Sequence, residues 1–528
     1  MRRSALIAVL ALTWAAAPAD AKTLVFCSEL SPENFSPMLA TTSTSDTAAA
    51  RAIYSKLFEF QLGTTNLEPA LAESYELSPD GKAYTLHLRH GIKFQTTPYF
   101  KPSREFNADD VLFTIDRQWQ KDHPYAKVNG GNYSHFNALN FGDTLDKVEK
   151  LDDYTIRITI KQALSPFITN LGMNFLSIMS AEYAEQLAKA GTPEKIDFEP
   201  VGTGPFILVN YQRDVAVRYK KNPEYWRGTA KIDDLIFTIV PDAAVRLAKL
   251  QTNECQVMAL PNPADVEIIK KDPALKVEAQ EGLNIGYLAF NTEKKPFDDK
   301  RVRQALNYAV DKKAIVEAVY QGAGTIATNP IPSIVWSYDT TIKDYPYDPG
   351  KAKQLLAEAG LPEGFETDLW AMPVSRPYNP NGKRMGEMVQ SYWAAVGVKA
   401  KIVSMEFAEY LKRGRAGEHQ TILLGWGGDT GDPDNFLFEV LGCGAAKTGR
   451  NMARWCNADY QKLVDEARAV SDKGERTKLY EAAQKLFKDE APWITMAHSI
   501  VYVPMRKEVT GYKVDPLGAY VFSSVDIN

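Results

Sequence analysis

Two charged side chains stand in loops in the second half of this 528-residue chain, and both loops contain proline. Arg376 lies within residues 372–381 (MPVSRPYNPN), and Asp429 lies within residues 425–435 (GWGGDTGDPDN). Arginine offers a planar fork of N–H donors that suits a carboxylate, whereas aspartate accepts hydrogen bonds from an ammonium group. Together the two side chains would suit a zwitterion, although surface salt bridges explain the same two charges more simply.

Both loops directly follow predicted strands, at residues 367–371 and 421–426. Between these strands, apolar residues at helical spacing over 385–393 predict a helix, residues 398–405 a further strand and residues 407–413 another helix. This β-α-β-α-β order indicates a parallel or mixed sheet with helices on its faces. Ligands of open α/β sheets usually bind at the carboxyl ends of the strands, which is where the two loops lie.

The chain is predicted to cross twice between two lobes. Residues 283–291 (LNIGYLAFN) form a nearly continuous apolar strand, which we interpret as the crossing into the second lobe. An extended segment at residues 493–503 provides the return. We therefore predict an α/β clamp with its first lobe in residues 22–281 and 500–528, and its second lobe in residues 282–499.

The first lobe is expected to include a β-rich subdomain within about residues 56–200. Around the turn signal at residues 79–81 (PDG), apolar and polar residues alternate, which predicts a hairpin with one buried face. Asn107 then has the features of a helix N-cap. The alternating apolar positions of the hairpin are Tyr75, Leu77, Tyr84, Leu86 and Leu88.

The N-terminus has the pattern of a cleavable secretory signal peptide over residues 1–21. Arg2 and Arg3 precede an apolar run at residues 5–17, and Ala-Asp-Ala precedes Lys22. No later run of apolar residues is long enough to span a bilayer, so we expect a soluble exported protein without direct membrane insertion. The net charge of −5 argues weakly against nucleic acid as a partner.

Four cysteines in an exported chain indicate two disulfides, for which three pairings are possible. Cys443 and Cys456 bracket a short loop that contains glycine, so we pair them, which leaves Cys27 with Cys255. Metal ligation by these residues is a poor alternative because the sequence contains no C-x-x-C pair.

Residues 71–117 resemble a signature of the peptide and nickel family of extracytoplasmic solute-binding proteins, which supply ABC importers. The pattern S-x-D-G-x-x-Y-x-x-x-L-R-x-G is matched, and residues 201–206 (VGTGPF) resemble another turn of the family. The loops at residues 372–381 and 425–435 resemble those of the dipeptide-binding branch. The resemblance to this branch extends over nearly the whole expected mature chain. The matching residues of the first pattern are Ser78, Asp80, Gly81, Tyr84, Leu88, Arg89 and Gly91.

This resemblance implies a periplasmic binding protein of the Venus flytrap type that captures dipeptides and delivers them to an inner-membrane ABC permease. It implies that Asp429 binds the peptide amino terminus and Arg376 its carboxylate, and it supports the disulfide pairing above. If both charges grip one ligand, they measure its length, because an extended chain gains at most about 3.5 Å per residue. Additional ligand contacts are expected from Trp426 and from the polar loop Thr41, Thr42 and Ser43.

The same resemblance implies a monomer without catalytic residues, metal or cofactor. A chemoreceptor is a possible second partner. A binder of longer peptides or haem is the alternative on the same fold, with His419 or His498 as candidate haem contacts. A secreted peptide hydrolase is the alternative of another class, since residues 429–431 spell D-T-G. Aspartic proteases need two such carboxylates, however, and the sequence has no second D-T-G or D-S-G.

Overall fold

A computed structural model describes residues 21–40 and 42–528 of the chain. Nearly all of the expected signal peptide (residues 1–21) and the candidate ligand contact Thr41 therefore lie outside the described residues. Within the part that the structure describes, no helix is both long and apolar enough to cross a membrane.

The first half of the chain alternates short strands with short helices. Its strands are β1 (Thr23–Ser28), β2 (Phe58–Phe60), β3 (Leu67–Pro69), β4 (Ala72–Leu77), β5 (Ala83–Leu88), β6 (Leu145–Asp152), β7 (Thr155–Ile160), β8 (Phe206–Gln212), β9 (Ala216–Lys221), β10 (Asp234–Ile239), β11 (Val257–Met258) and β12 (Leu275–Glu281). Its helices are α1 (Ser43–Ala48), α2 (Ala108–Trp119), α3 (Ser134–Ala138), α4 (Phe141–Thr144), α5 (Phe167–Asn170), α6 (Ala181–Lys189), α7 (Ala243–Gln251) and α8 (Val266–Lys271).

Longer helices dominate the second half. Its strands are β13 (Asn284–Phe290), β14 (Gly324–Ile326), β15 (Glu366–Trp370), β16 (Lys399–Val403), β17 (Thr421–Gly427), β18 (Trp493–Arg506), β19 (Val509–Thr510) and β20 (Asp526–Ile527). Its helices are α9 (Lys300–Tyr308), α10 (Lys312–Tyr320), α11 (Pro349–Glu358), α12 (Gly382–Ala394), α13 (Phe407–Arg415), α14 (Asp434–Leu437), α15 (Cys443–Thr448), α16 (Ala458–Ala469) and α17 (Lys473–Glu490).

One long strand, β18, joins the sheets of the two lobes. Its residues 493–497 pair with β13, whereas its residues 500–506 pair with β12, both in antiparallel fashion. Between β12 and β13, Gly282 passes so close to β18 that an added Cβ would lie 3.0 Å from a methyl carbon of Val501. The resulting sheet has the strand order β16-β15-β17-β13-β18-β11-β1-β10-β9-β8.

The buried apolar side chains fall into cores that lie on either side of this crossing. A large core combines residues 24–259 with residues 503–525, and two further cores lie within residues 283–497. The molecule is therefore a two-lobed α/β clamp, as predicted. We propose that the lobe boundaries follow these cores, at residues 22–281 and 500–528 for the first lobe and 282–499 for the second.

The second lobe contains the mixed sheet that its sequence predicts. β15 pairs in parallel with β16 and β17, whereas β13 pairs in antiparallel fashion with β17. α12 covers this sheet with Met385, Val389 and Trp393, which are all buried. Asp311 caps α10 by accepting a hydrogen bond from the backbone N–H of Ala314 at 3.0 Å.

The β-rich subdomain contains a four-stranded sheet with the order β4-β5-β7-β6. The prediction that both strands of its hairpin bury their apolar side chains is wrong for β4. Tyr75 is 42% exposed and Leu77 is 38% exposed, whereas the apolar residues of β5 are buried. The reason is that β4 is the edge strand, and both side chains line a groove closed on its other side by second-lobe residues such as Arg476.

Two disulfides join Cys27 to Cys255 and Cys443 to Cys456, the same pairing that the sequence favours. Cys27 belongs to β1, and Cys255 lies two residues before β11, its parallel partner strand. The Cα atoms within each pair are 5.8 Å and 4.6 Å apart.

A buried ion pair holds α2 of the β-rich subdomain in place. The guanidinium of Arg117 donates two hydrogen bonds to the carboxylate of Asp197, at 3.0 Å and 2.7 Å, and both side chains are fully buried. The amide of Asn129 donates a further bond of 2.7 Å to the same carboxylate. Each charge is therefore tolerated only because the other is present.

The substitution Asp197→Asn should lower the free energy of unfolding by about 3–5 kcal/mol, because it leaves the Arg117 guanidinium buried without a counter-charge. Chemical denaturation followed by circular dichroism measures the change. Asp122→Asn, at an exposed aspartate of the same subdomain, is the matched control and should change the free energy by less than about 0.5 kcal/mol. Equal effects of the two substitutions would contradict this role of the pair.

Candidate functional site

The loops that carry Arg376 and Asp429 lie at the same edge of the second-lobe sheet. They follow β15 and β17, which run in parallel, with Trp370 opposite Ile422. The ring of Tyr378 packs directly on Gly425 of β17, where an added Cβ would lie 2.2 Å from a ring carbon. This glycine in the apolar strand therefore lets one loop pack against the strand that leads into the other.

Asp429 lies at the wall of a cavity between the two lobes. Its backbone N–H donates to Oδ1 of Asn435 at 3.0 Å, and the Asn435 amide approaches the carboxylate at 3.5 Å. Enclosure by protein raises the pKa of Asp429, while His135, the Asn435 amide and Arg450 lower it. The carboxylate thus has few partners of its own and is suited to a cationic group of a ligand.

Trp426 supports Asp429 from within the second lobe. Its indole N–H donates to the same Asn435 oxygen at 3.1 Å, and the guanidinium of Arg450 lies over its ring at 5.2 Å from the ring centre. Arg450 in turn donates to Glu439. The structure therefore places Trp426 in a network that orients Asp429, and its direct contact with ligand stays a prediction.

The remaining acidic residues of this loop are paired with arginines. Asp432 accepts two hydrogen bonds from Arg476 at 2.8 Å and 2.9 Å, and Asp434 pairs with Arg468 at 2.9 Å. Burial raises the pKa of Asp434 to about 7, although Arg468 lowers it. No cluster of three or more potential metal ligands occurs among residues 21–40 and 42–528.

The glycine of the D-T-G sequence allows the two lobes to come into close contact. A Cβ added at Gly431 would lie 2.2 Å from the side chain of Thr65 in the first lobe. Nearby, the Ser165 backbone N–H donates to the carbonyl of Arg468 at 2.7 Å, and the Ser165 hydroxyl donates to the carbonyl of Val470. The described conformation is therefore closed, and this glycine is explained by packing between the lobes.

The first lobe contributes the start of α1 to the opposite wall. The side chain of Thr42 caps this helix by accepting a hydrogen bond from the Ser45 backbone N–H at 3.3 Å. Ser43 lines the same cavity as Asp429. The structure thus brings Ser43 and Asp429 together and assigns Thr42 a capping hydrogen bond.

The cavity also contains charged residues that sequence reasoning missed. Asp46, Arg51 and His135 all line it from the first lobe, together with apolar residues. Arg51 pairs with Asp515 at 3.1 Å. The spacing of Asp46 three residues after Ser43 on one helix is the only sequence signal that links it to the site. The apolar side chains that line the cavity are Phe60, Met173, Phe175, Leu517 and Ala519.

Arg376 lies in a different cleft from Asp429. Its side chain is exposed, donates to the carbonyl of Ser375 at 3.0 Å and lies over the ring of Phe407 at 4.8 Å from the ring centre. Its backbone pairs with Asn379 to close a tight turn. The cleft is mostly apolar and runs between the lobes beside residues 499–502 of β18. The joint grip of one ligand by Arg376 and Asp429 stays a prediction.

The two histidines considered as haem contacts are buried in the second lobe. Nε2 of His419 donates a hydrogen bond of 2.8 Å to the carbonyl of Met452, and Nδ1 of His498 donates one of 2.8 Å to the carbonyl of Asn284. Burial lowers the pKa of His419 to about 4 and also lowers that of His498. His135 is instead the histidine that lines the cavity.

Comparison with known proteins agrees with this architecture. Residues 66–448 match the model of the bacterial extracellular solute-binding proteins, family 5 Middle. The chain is 52% identical to the dipeptide-binding protein of Escherichia coli K12 over 97% of this chain and 96% of that protein. It is 51% identical to heme-binding protein A of Haemophilus influenzae, over 96% of this chain and 92% of that protein.

A solved structure of similar fold is the dipeptide binding protein of Pseudoalteromonas sp. SM9913 in complex with Met-Leu. It is 38% identical, has a TM-score of 0.82, and the match covers 96% of this chain and 100% of that one. These matches extend over both lobes and include the loops that carry Arg376 and Asp429. The chain therefore belongs to the bacterial extracellular solute-binding proteins of family 5.

Proposed function

We propose that this protein is the periplasmic solute-binding component of an ABC importer and that its ligand is a dipeptide. The observation that carries the proposal is the sparsely paired carboxylate of Asp429 at the wall of a cavity between two lobes. Relatives of this chain that are named for dipeptide binding support the same ligand. No covalent chemistry is required, because capture and release need only the opening and closing of the lobes.

The amine of the peptide would bind Asp429. When the lobes close, water leaves the cavity and the attraction between the carboxylate and an ammonium group strengthens. Asn435 fixes the carboxylate from behind, so little conformational freedom is lost on binding. Closure would thus be coupled to the arrival of the ligand charge, and the closed form would be the one that an inner-membrane permease recognises.

The carboxylate of the peptide would bind Arg376. This assignment requires the exposed guanidinium to leave its place over Phe407 and turn toward the ligand. The movement would give up an exposed cation–π contact, which contributes about 0.5–1 kcal/mol, and the hydrogen bond to the Ser375 carbonyl, which a bond to the ligand carboxylate would replace. A monomer that functions in the periplasm, with a chemoreceptor as a further partner, completes the proposal.

Replacement of the amine-binding carboxylate tests the assigned site. Asp429→Asn should weaken dipeptide binding by about 2–5 kcal/mol, because the ammonium group loses its charged partner. Isothermal titration calorimetry with Ala-Phe measures the change, and Asp122→Asn serves as the control. Unchanged affinity in Asp429→Asn would exclude Asp429 as the amine site.

Modified ligands test the role of Arg376. The wild-type protein should bind Ala-Phe more tightly than its C-terminal amide, and Arg376→Gln should reduce that preference by about tenfold or more, because the carboxylate then has no cation. Competition calorimetry with both ligands gives the two ratios. An unchanged ratio would remove Arg376 from the site.

Tighter binding of pentapeptides or of haem than of dipeptides by the wild-type protein would favour the alternative ligands on the same fold. For haem, this alternative is also suggested by the haem-binding relative.

Acidification should weaken the binding of a dipeptide with uncharged side chains. Protonation neutralises Asp429, and since burial raises its pKa, the loss should begin above the range of an ordinary aspartate near pH 3.9. Calorimetry from pH 8 to pH 4.5 measures the profile. Asp429→Asn should flatten it, and an identical slope in that variant would assign the pH dependence to another group.

A further inference from the structure

A second carboxylate faces the proposed amine site from the opposite lobe. Asp46 lies on α1 in the first lobe and lines the same cavity as Asp429. His135 also lines this cavity and acts electrostatically on both carboxylates. The two acidic groups therefore border one enclosed space.

Asp46 lacks a direct ionic partner in the described part of the chain. No nitrogen of a lysine, arginine or histidine among residues 21–40 and 42–528 lies within 4.0 Å of its carboxylate, and Arg51 is engaged by Asp515. Enclosure raises the pKa of Asp46 to about 6, although His135, a hydrogen bond from Asn174, Arg51 and Lys56 all lower it. The surrounding cations thus only partly compensate for the burial of this carboxylate.

A ligand with one positive charge would leave Asp46 without a cationic partner. Its amine would satisfy Asp429, and closure of the lobes would then retain Asp46 either as an unpaired buried anion or as a protonated acid. Both states cost free energy at neutral pH relative to a paired carboxylate. A ligand with a second cation would remove that cost, and its attraction would be strengthened by the exclusion of water.

We propose that the cavity selects dipeptides whose first residue has a cationic side chain, with Asp46 as the group that binds this side chain. The inference rests on the proposed function, because Asp429 must hold the amine. The first side chain of the peptide is attached to the same Cα as the amine, and both carboxylates border the same cavity, so this is the side chain that we assign to Asp46.

The apolar part of the wall fits the stem of such a side chain. Phe60 and Met173 line the same cavity as Asp46. Lysine places four methylene groups between its backbone and its ammonium group, and such stems pack on apolar surfaces while the charge binds a polar partner. A side chain of the same length without a charge would gain the apolar contacts but leave Asp46 unpaired.

Paired ligands test this inference on the full-length mature protein. Isothermal titration calorimetry at pH 7.5 compares Lys-Ala with norleucine-Ala, whose first side chain has the same carbon chain and no charge. The wild-type protein should bind Lys-Ala about tenfold more tightly or better. Asp46→Asn should abolish this preference by weakening Lys-Ala, and it should not weaken norleucine-Ala, because the neutral amide removes the cost of an unpaired carboxylate. The control Asp122→Asn should keep the preference.

The possible results separate this inference from the function on which it rests. Equal affinity of the wild-type protein for both dipeptides would overturn the inference without any variant, whether or not Asp46→Asn folds. Equal weakening of both ligands by Asp46→Asn would assign Asp46 to the backbone amine and would also overturn it. Failure of the wild-type protein to bind any dipeptide would overturn the proposed function itself.

Discussion

The enclosure of unbalanced negative charge is the constraint on which this structure depends. Carboxylates from both lobes border one cavity, and the closed conformation removes them from most of the solvent. Elsewhere, enclosed carboxylates are balanced by arginines of the protein itself. Arg117 forms a bidentate pair with Asp197, and other arginines bind Asp432 and Asp434. At the cavity, Asp429 and Asp46 have weaker partners than these paired carboxylates, and this difference distinguishes a ligand site from a structural ion pair.

Periodicity and turn chemistry were sufficient to predict much of the second lobe. The apolar run at 421–426 specifies a strand that is buried on both faces, and the spacing of Met385, Val389 and Trp393 specifies a helix with one buried face. The same reasoning failed for Tyr75 and Leu77. Alternation shows which side chains share one face of a strand, but it does not show whether other residues cover that face. In β4, the face that carries Tyr75 and Leu77 borders a groove between the lobes.

The candidate site shows a similar division. Asp429 could be singled out because it follows a strand whose carboxyl end lies at the ligand edge of the sheet. Asp46 could not, since it lines the cavity together with His135 and Asp429, which are distant in sequence and meet it only after folding. The length of a loop also does not fix where a long side chain points, and Arg376 lies over Phe407 for reasons of local packing.

The strand shared by the two lobes also orders events in time. Residues 500–506 of β18 complete the first-lobe sheet by pairing with β11 and β12, yet they are synthesised after the second lobe. A lobe that begins near residue 22 therefore cannot finish its sheet until almost the whole chain has emerged from the ribosome. Such late long-range pairing slows folding. For an exported protein, this delay is an advantage, because a chain that folds late is still unfolded when it passes through a translocation channel.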